Sequence, residues 1–148
     1  MLIRSYNKSD TTAIVDLLKL NTPEYFSPLE EPDLIDYLHN HAVNYFVVEI
    51  NEGIYARGGY NKSDNPELIR ISWDIIHPQY QGKGLGTELT NFRIKEIQKI
   101  PGVKIISVRT SQLVYRFYEK FGFVLKEVAK DFWAKGFDMY RMERGIHL

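Results

Sequence analysis

Apolar positions along the chain follow two rhythms, and the places where one gives way to the other mark its elements. Residues 2–6 read as a first strand. From Asp10 or Thr11, either of which can cap a helix, Ile14, Leu17, Leu18 and Leu20 return at helical spacing. Pro23 and Pro28 bracket a break, and Pro32 suits the first turn of a second helix carrying Leu34, Ile35 and Leu38. Residues 45–50 are rich in strand formers, Asn51-Glu52-Gly53 turns the chain, and 54–60 run back as the partner strand. A polar loop over 61–66 leads to a strand over 68–76, stopped by Pro78. Leu85, Leu89, Phe92, Ile97 and Ile100 mark one face of a third helix, closed by Pro101-Gly102. An apolar strand over 103–108 follows. Thr110 or Ser111 caps a fourth helix that turns Leu113, Val114, Phe117, Tyr118 and Phe121 inward, and Gly122 ends it. Residues 123–128 and 137–142 read as a closing pair of strands. The order βααβββαβαββ predicts one layered α/β domain over 1–148.

Composition narrows the function classes. Nineteen basic residues balance nineteen acidic ones. That neutrality argues against a nucleic-acid coat or a general membrane binder, so neither partner is expected. With no cysteine, disulfides, thiolate catalysis and cysteine-ligated zinc are excluded. No metal site is expected, and a cytoplasmic setting fits. The first residues lack the apolar core of a signal peptide, and no run approaches the length of a membrane span.

The chemistry-bearing stretch is Ile75-Ile76-His77-Pro78-Gln79-Tyr80-Gln81-Gly82-Lys83-Gly84-Leu85-Gly86-Thr87. It joins a strand to the start of a helix. Three glycines at alternate positions leave the main-chain N–H groups bare, and the helix N-terminus adds partial positive charge. Such a loop binds anions, phosphate above all. The Walker pattern fails because Gly84 follows Lys83, and the dinucleotide pattern fails because the third glycine comes one residue early. Gln-x-x-Gly-x-Gly, met by Gln81, Gly84 and Gly86, remains.

This stretch resembles the coenzyme A pyrophosphate loop of the GNAT superfamily of acyl-CoA N-acyltransferases. Ile76-His77-Pro78 before the loop and Phe117-Tyr118-Glu119-Lys120-Phe121-Gly122-Phe123 after it are similar to that family's motifs in register. The resemblance implies a mixed sheet of about seven strands flanked by about four helices. It implies an N-acetyltransferase with acetyl-CoA as co-substrate and a small-molecule or peptide amine as acceptor. Homodimers occur in this family. Backbone groups of Ile75 and Ile76 would meet the pantetheine arm. Amides of Gln81, Gly82, Lys83, Gly84, Leu85, Gly86 and Thr87 would cradle the pyrophosphate, with the Lys83 charge nearby.

An alkylammonium acceptor, with a pKa near 10.4, is neutral in about one molecule in a few thousand at pH 7, so a proton acceptor is needed. The resemblance places Tyr118 near the sulfur as the acid. Asp74, on an alternating strand with Ser72 and Ile76, is the candidate base, and His77 a lesser one. Ser111 stands where many members have Asn, and can still bond the pantetheine arm. Arg70 falls near a position where some members carry a glutamate base. Glu24, Glu30, Glu31, Asp33 and Asp36 make the first helical region acidic, and Tyr25, Phe26, Phe132 and Trp133 suit an acceptor pocket. Two alternatives stay open: an acyl-CoA sensor without turnover on the same fold, and an interaction protein whose loop binds no phosphate.

Overall fold

The computed structural model describes residues 1–147. Its elements run β1 (Leu2–Ser5), α1 (Thr11–Leu20), α2 (Glu31–Asn40), β2 (Asn44–Ile50), β3 (Gly53–Lys62), β4 (Leu68–Ile76), α3 (Leu85–Gln98), β5 (Ile105–Thr110), α4 (Tyr115–Glu119), β6 (Val124–Ala134) and β7 (Phe137–Gly145). The seven strands form one sheet in the order β1-β2-β3-β4-β5-β7-β6. Every neighbouring pair is antiparallel except β4 and β5. The expected seven strands and four helices are therefore present, in the expected order.

Alternation along the strands sends side chains to two faces of the sheet, which carry three core clusters. Val47 and Ile75 pack under Ile14, Leu17 and Leu18 of α1 and Leu34 and Leu38 of α2. Val48 and Ala56 pack under Leu85 and Leu89 of α3. Ile69, Ile71, Ile106, Val108 and Met142 face Ile94 and Ile97 of α3 together with Tyr118 of α4. The hairpin between β2 and β3 turns through Asn51 and Glu52, both at positive φ, as a two-residue primed turn requires.

Three local expectations are corrected. Neither Asp10 nor Thr11 caps α1 with its side chain. Asn7 accepts from Ser9 N–H, while the Asp10 carboxylate returns to Asn7 N–H and to the Arg4 guanidinium. The strength of Arg4 as a hydrogen-bonding partner holds the Asp10 carboxyl below its usual range. Second, α4 is a five-residue helix. Ser111 Oγ accepts from Leu113 N–H in a preceding turn and does not cap α4, and Leu113 is exposed. Third, Leu20 and Ile35 fall outside the apolar stripes of their helices and are exposed. Among the described residues no helix is long and apolar enough to cross a membrane.

Candidate functional site

The glycine loop enters α3 through Gly84, whose φ of +85° is left-handed. A Cβ at this position would meet nothing within 4 Å. The amides of Gln81, Gly82, Gly84, Leu85, Gly86 and Thr87 have no protein acceptor among the described residues. They lie at a helix N-terminus, so unspent donors and the positive end of the peptide dipoles coincide. Lys83 departs from the expectation. Its N–H returns to Tyr80 O at 3.4 Å, and its ammonium lies 5.0 Å over the Tyr80 ring. The Leu85 side chain is core, so only its amide faces the loop. Positive charge on the cleft comes instead from Arg116 of α4, which also pairs with Glu119 at 3.6 Å, and from Lys120 just after that helix.

The cleft exists because β4 and β5 part company. Their parallel pairing covers Leu68–Ile71 against Ile105–Val108 and stops. Beyond Ile71, β4 continues to Ile76 with no partner on its β5 side, while α4 rises opposite. A cleft of about 520 Å³ runs from the loop to Asp74 and Tyr118. Ile75 and Ile76 border it, as expected. The Ile76 carbonyl, however, already accepts from Asn21 Nδ2 at 3.1 Å, an amide that also donates to Leu17 O at the end of α1.

At the deep end of the cleft the strand loses its alternation. Gly59 opposes Ser72 and Arg57 opposes Ile75, so Gly58 faces both Trp73 and Asp74, a β-bulge. Trp73 sits at φ +52°, an outlier for a bulky residue. Its carbonyl accepts from Tyr45 OH at 2.9 Å and Arg57 Nη1 at 2.7 Å. The extra residue keeps Ser72 and Trp73 on the α1/α2 side and delivers Asp74 to the α3/α4 side. The predicted common face of Ser72, Asp74 and Ile76 is thus corrected: Asp74 shares its face with Ile71 and Ile76.

There Asp74 meets Arg93 of α3, which is 0% exposed. Both guanidinium ends bind both carboxylate oxygens, Nη2 to Oδ2 at 2.8 Å. Arg93 spends further donors on Gly59 O and Leu89 O. Burial alone would lower the Arg93 pKa, but Asp74 more than offsets that and the net shift is upward. Tyr118 OH donates to Asp74 Oδ2. Burial and then the Asp74 charge push the Tyr118 phenol well above its usual range. The structure thus unites the expected Tyr118 and Asp74, and adds Arg93. The signal for Arg93 was available: it lies four residues after Leu89 and four before Ile97, on the apolar stripe of α3.

A second cavity of about 410 Å³ opens on the other side of this junction. Tyr25, Phe26, Asp74, Val114 and Tyr118 border both spaces. Ser111, expected beside the pantetheine arm, lies on this second cavity instead, as does Trp133. Phe132 packs edge-on against Trp133 and is 51% exposed. Of the acidic residues in the first helical region, only Glu30 lines the cavity. Glu30 is buried, accepts from Ser27 N–H, and has its carboxyl pKa raised by desolvation. His77 lines neither space. Its Nδ1 accepts from Gln79 N–H and its ring packs against Tyr55 and Tyr80, which makes it a loop wall.

Residues 41–125 match the family model described as an acetyltransferase (GNAT) domain. A stretch of 70 residues, 46% of this chain, is 33% identical to an uncharacterized N-acetyltransferase ycf52-like protein of Prochlorococcus marinus. That stretch spans 38% of the relative's length. The fold is similar to that of the ribosomal-protein-S18-alanine N-acetyltransferase of Escherichia coli, with TM-score 0.78, 19% identity and coverage of 99% and 94% of the two chains. It is also similar to Ard1 of Thermoplasma volcanium, with TM-score 0.82, 16% identity and coverage of 97% and 96%. An aminoglycoside 6'-N-acetyltransferase solved with coenzyme A gives TM-score 0.80, 16% identity and coverage of 100% and 98%.

Proposed function

The chain belongs to the GNAT acetyltransferase family, and on that premise we propose that it transfers an acetyl group from acetyl-CoA to a primary amine. The observation that carries this reading is the open wedge between β4 and β5, with bare amides at one end and Tyr118 and Asp74 at the other.

The residues present fit the carrier. A diphosphate needs unspent donors and room. The six free amides supply the first, and the absence of any atom within 4 Å of a Gly84 Cβ position supplies the second. Arg116 and Lys120 add charge on the facing wall. Acetyl-CoA supplies a thioester whose carbonyl an amine can attack. The protein's part is to hold that group at the junction of the two cavities and manage two protons.

Tyr118 stays protonated across the working pH range because its phenol pKa is raised. Its single O–H proton goes to Asp74 Oδ2 at rest, so it serves the leaving sulfur as a hydrogen-bond donor, not as a strong acid, only once the bound thioester takes the place of that bond. Asp74 has both oxygens committed to Arg93 and Tyr118. Its role is to hold the Tyr118 hydroxyl until that exchange, and the base role passes elsewhere. Glu30 is the carboxylate on the acceptor cavity whose pKa is raised toward neutrality, which makes it the better proton acceptor there.

The test has two parts. Acetyl-CoA at a hundredfold excess over its Kd stabilises the fold by about 2.7 kcal/mol, read as a rise in Tm. Thiol release from acetyl-CoA is then followed against a panel of amines. Absence of stabilisation defeats the loop assignment. Stabilisation without thiol release for any amine leaves a sensor and defeats the enzyme reading.

A further inference from the structure

The acceptor cavity is lined by basic groups that no carboxylate pairs with among the described residues. Arg70 of β4 and Arg109 of β5 both border it, with Lys62 of β3 at its rim. Among the described residues none of the three has a carboxylate within ion-pair distance. The neighbouring Arg141 is different, because Glu127 and Glu143 both bind it. Arg70 makes no side-chain hydrogen bond, and its buried Nε has no partner. Burial first, and then the charge of Arg109, lower the Arg70 pKa, with Asp64 opposing at longer range.

Asn61 and Trp133 on this wall are spent. Asn61 Oδ1 accepts from Tyr37 OH and Ser72 Oγ, and its Nδ2 donates to His41 O. Trp133 Nε1 donates to Thr110 O. The unspent charged donors are thus Lys62 at the rim and two guanidinium groups, and each guanidinium is built to grip an oxyanion with paired N–H donors. Arg70, half-buried with an unpartnered Nε beside the exposed Arg109 charge, is costly without an ion-paired anion, and a bound anion removes that cost. Glu30, on the same cavity, suits an ammonium end.

We propose that the acceptor is an amine that also carries a carboxylate, of amino-acid or short-peptide size, with the carboxylate held by Arg70 and Arg109. This rests on the acetyltransferase reading and narrows its acceptor. A polyamine or an aminoglycoside would bring more positive charge against two guanidinium groups, and is disfavoured.

The experiment uses ω-amino acids of one to five methylenes, the matching ω-amino amides, and amino-alkyl phosphates as a second oxyanion. Turnover is read by thiol release. Binding to the CoA-loaded protein is read by calorimetry. A carboxylate at the right spacing should exceed its amide by roughly 10–100-fold in kcat/KM and in affinity. Arg70→Gln and Arg109→Gln should each erase most of that ratio by lowering the carboxylate's kcat/KM and affinity toward the amide's, with acetyl-CoA affinity retained. Equal handling of carboxylate and amide at every spacing overturns the proposal, as does a phosphate preference over every carboxylate. A ratio that survives both substitutions overturns it too. If nothing is turned over but carboxylate affinity still depends on both arginines, the acetyltransferase reading fails while the anion site stands.

Discussion

Gly58→Ala is the sharpest probe of the junction. Gly58 faces the bulge, and an added Cβ would overlap Asp74 Oδ1 and come within 2.8 Å of Arg93 Nη1. The glycine is outside the left-handed region, so alanine fits its backbone. On chain entropy alone the substitution would stabilise by about 0.4–1 kcal/mol. The structure predicts the opposite sign. Arg93 is 0% exposed and pinned by Gly59 O and Leu89 O, so it cannot retreat to solvent, and Asp74 must yield. Separating a buried pair leaves an uncompensated charge and costs about 3–5 kcal/mol. Taking about 3 kcal/mol, the Tm of a domain this size falls by some 6–12 °C. Calorimetry on the single variant, and on Gly58→Ala in an Asp74→Ala/Arg93→Met background, checks this. With the pair removed the alanine should be harmless, a coupling of at least about 2 kcal/mol. A neutral single variant, or an equal loss in both backgrounds, refutes the packing argument.

Three further outcomes follow from the same geometry. Gly84→Val should abolish calorimetric binding of acetyl-CoA without unfolding the chain, because the branched side chain resists a φ of +85° and fills the space before the free amides; retained affinity would contradict the loop assignment. Tyr118→Phe keeps the ring and loses the hydroxyl on Asp74, so kcat should fall by roughly 10²-fold with the KM for acetyl-CoA little changed; a near-parental rate retires the donor role. Glu30→Gln tests linkage. Desolvation raises the folded-state pKa of Glu30 above 4.5, so its favourable share of stability is present below that pH and is lost as pH rises through the folded value. The variant should therefore be more stable than the parent near pH 8 and lose that advantage as pH is lowered toward 4, and a pH-independent difference in Tm would contradict the assignment.

Much of this fold was legible because its elements keep to simple periods. Leu85, Leu89 and Ile97 return every turn, residues 68–76 end at Pro78, and the glycines of the loop announce bare amides by their spacing. What was misread depends on single departures from period. A two-residue count put Asp74 with Ser72, but one extra residue at Trp73 resets the count, and tryptophan gives no hint of a left-handed backbone. Lys83 reads as a phosphate ligand by position, yet an aromatic face three residues back claims it. Ser111 is displaced to the second cavity for a related reason. The turn before α4 postpones that helix to Tyr115, and the serine points to the other cavity. Arg70 stood out in the sequence only as an arginine near a family base position, and Arg109 lay just past the strand read over 103–108. Their meaning lies in what is not beside them, which only the packed sheet reveals.

The bulge concentrates unfavourable terms at one place, and that concentration is itself an argument. Trp73 is held in a left-handed conformation that costs on the order of 1–3 kcal/mol. Arg57, fully buried among Tyr45 and Trp73, leaves Nε and Nη2 without a partner, at about 1–3 kcal/mol for each unsatisfied group. A plain strand with an aliphatic residue at 57 would avoid both. What the arrangement achieves is a grip from two sides. Arg57 and Tyr45 draw the Trp73 carbonyl toward α1 and α2, while Arg93 draws the next side chain toward α3. The strand is thereby bent where β5 leaves it, and the Tyr118 hydroxyl is aimed where the two cavities meet. A strand relaxed into regular alternation would turn Asp74 to the α1/α2 side, and Tyr118 would lose the acceptor that orients it.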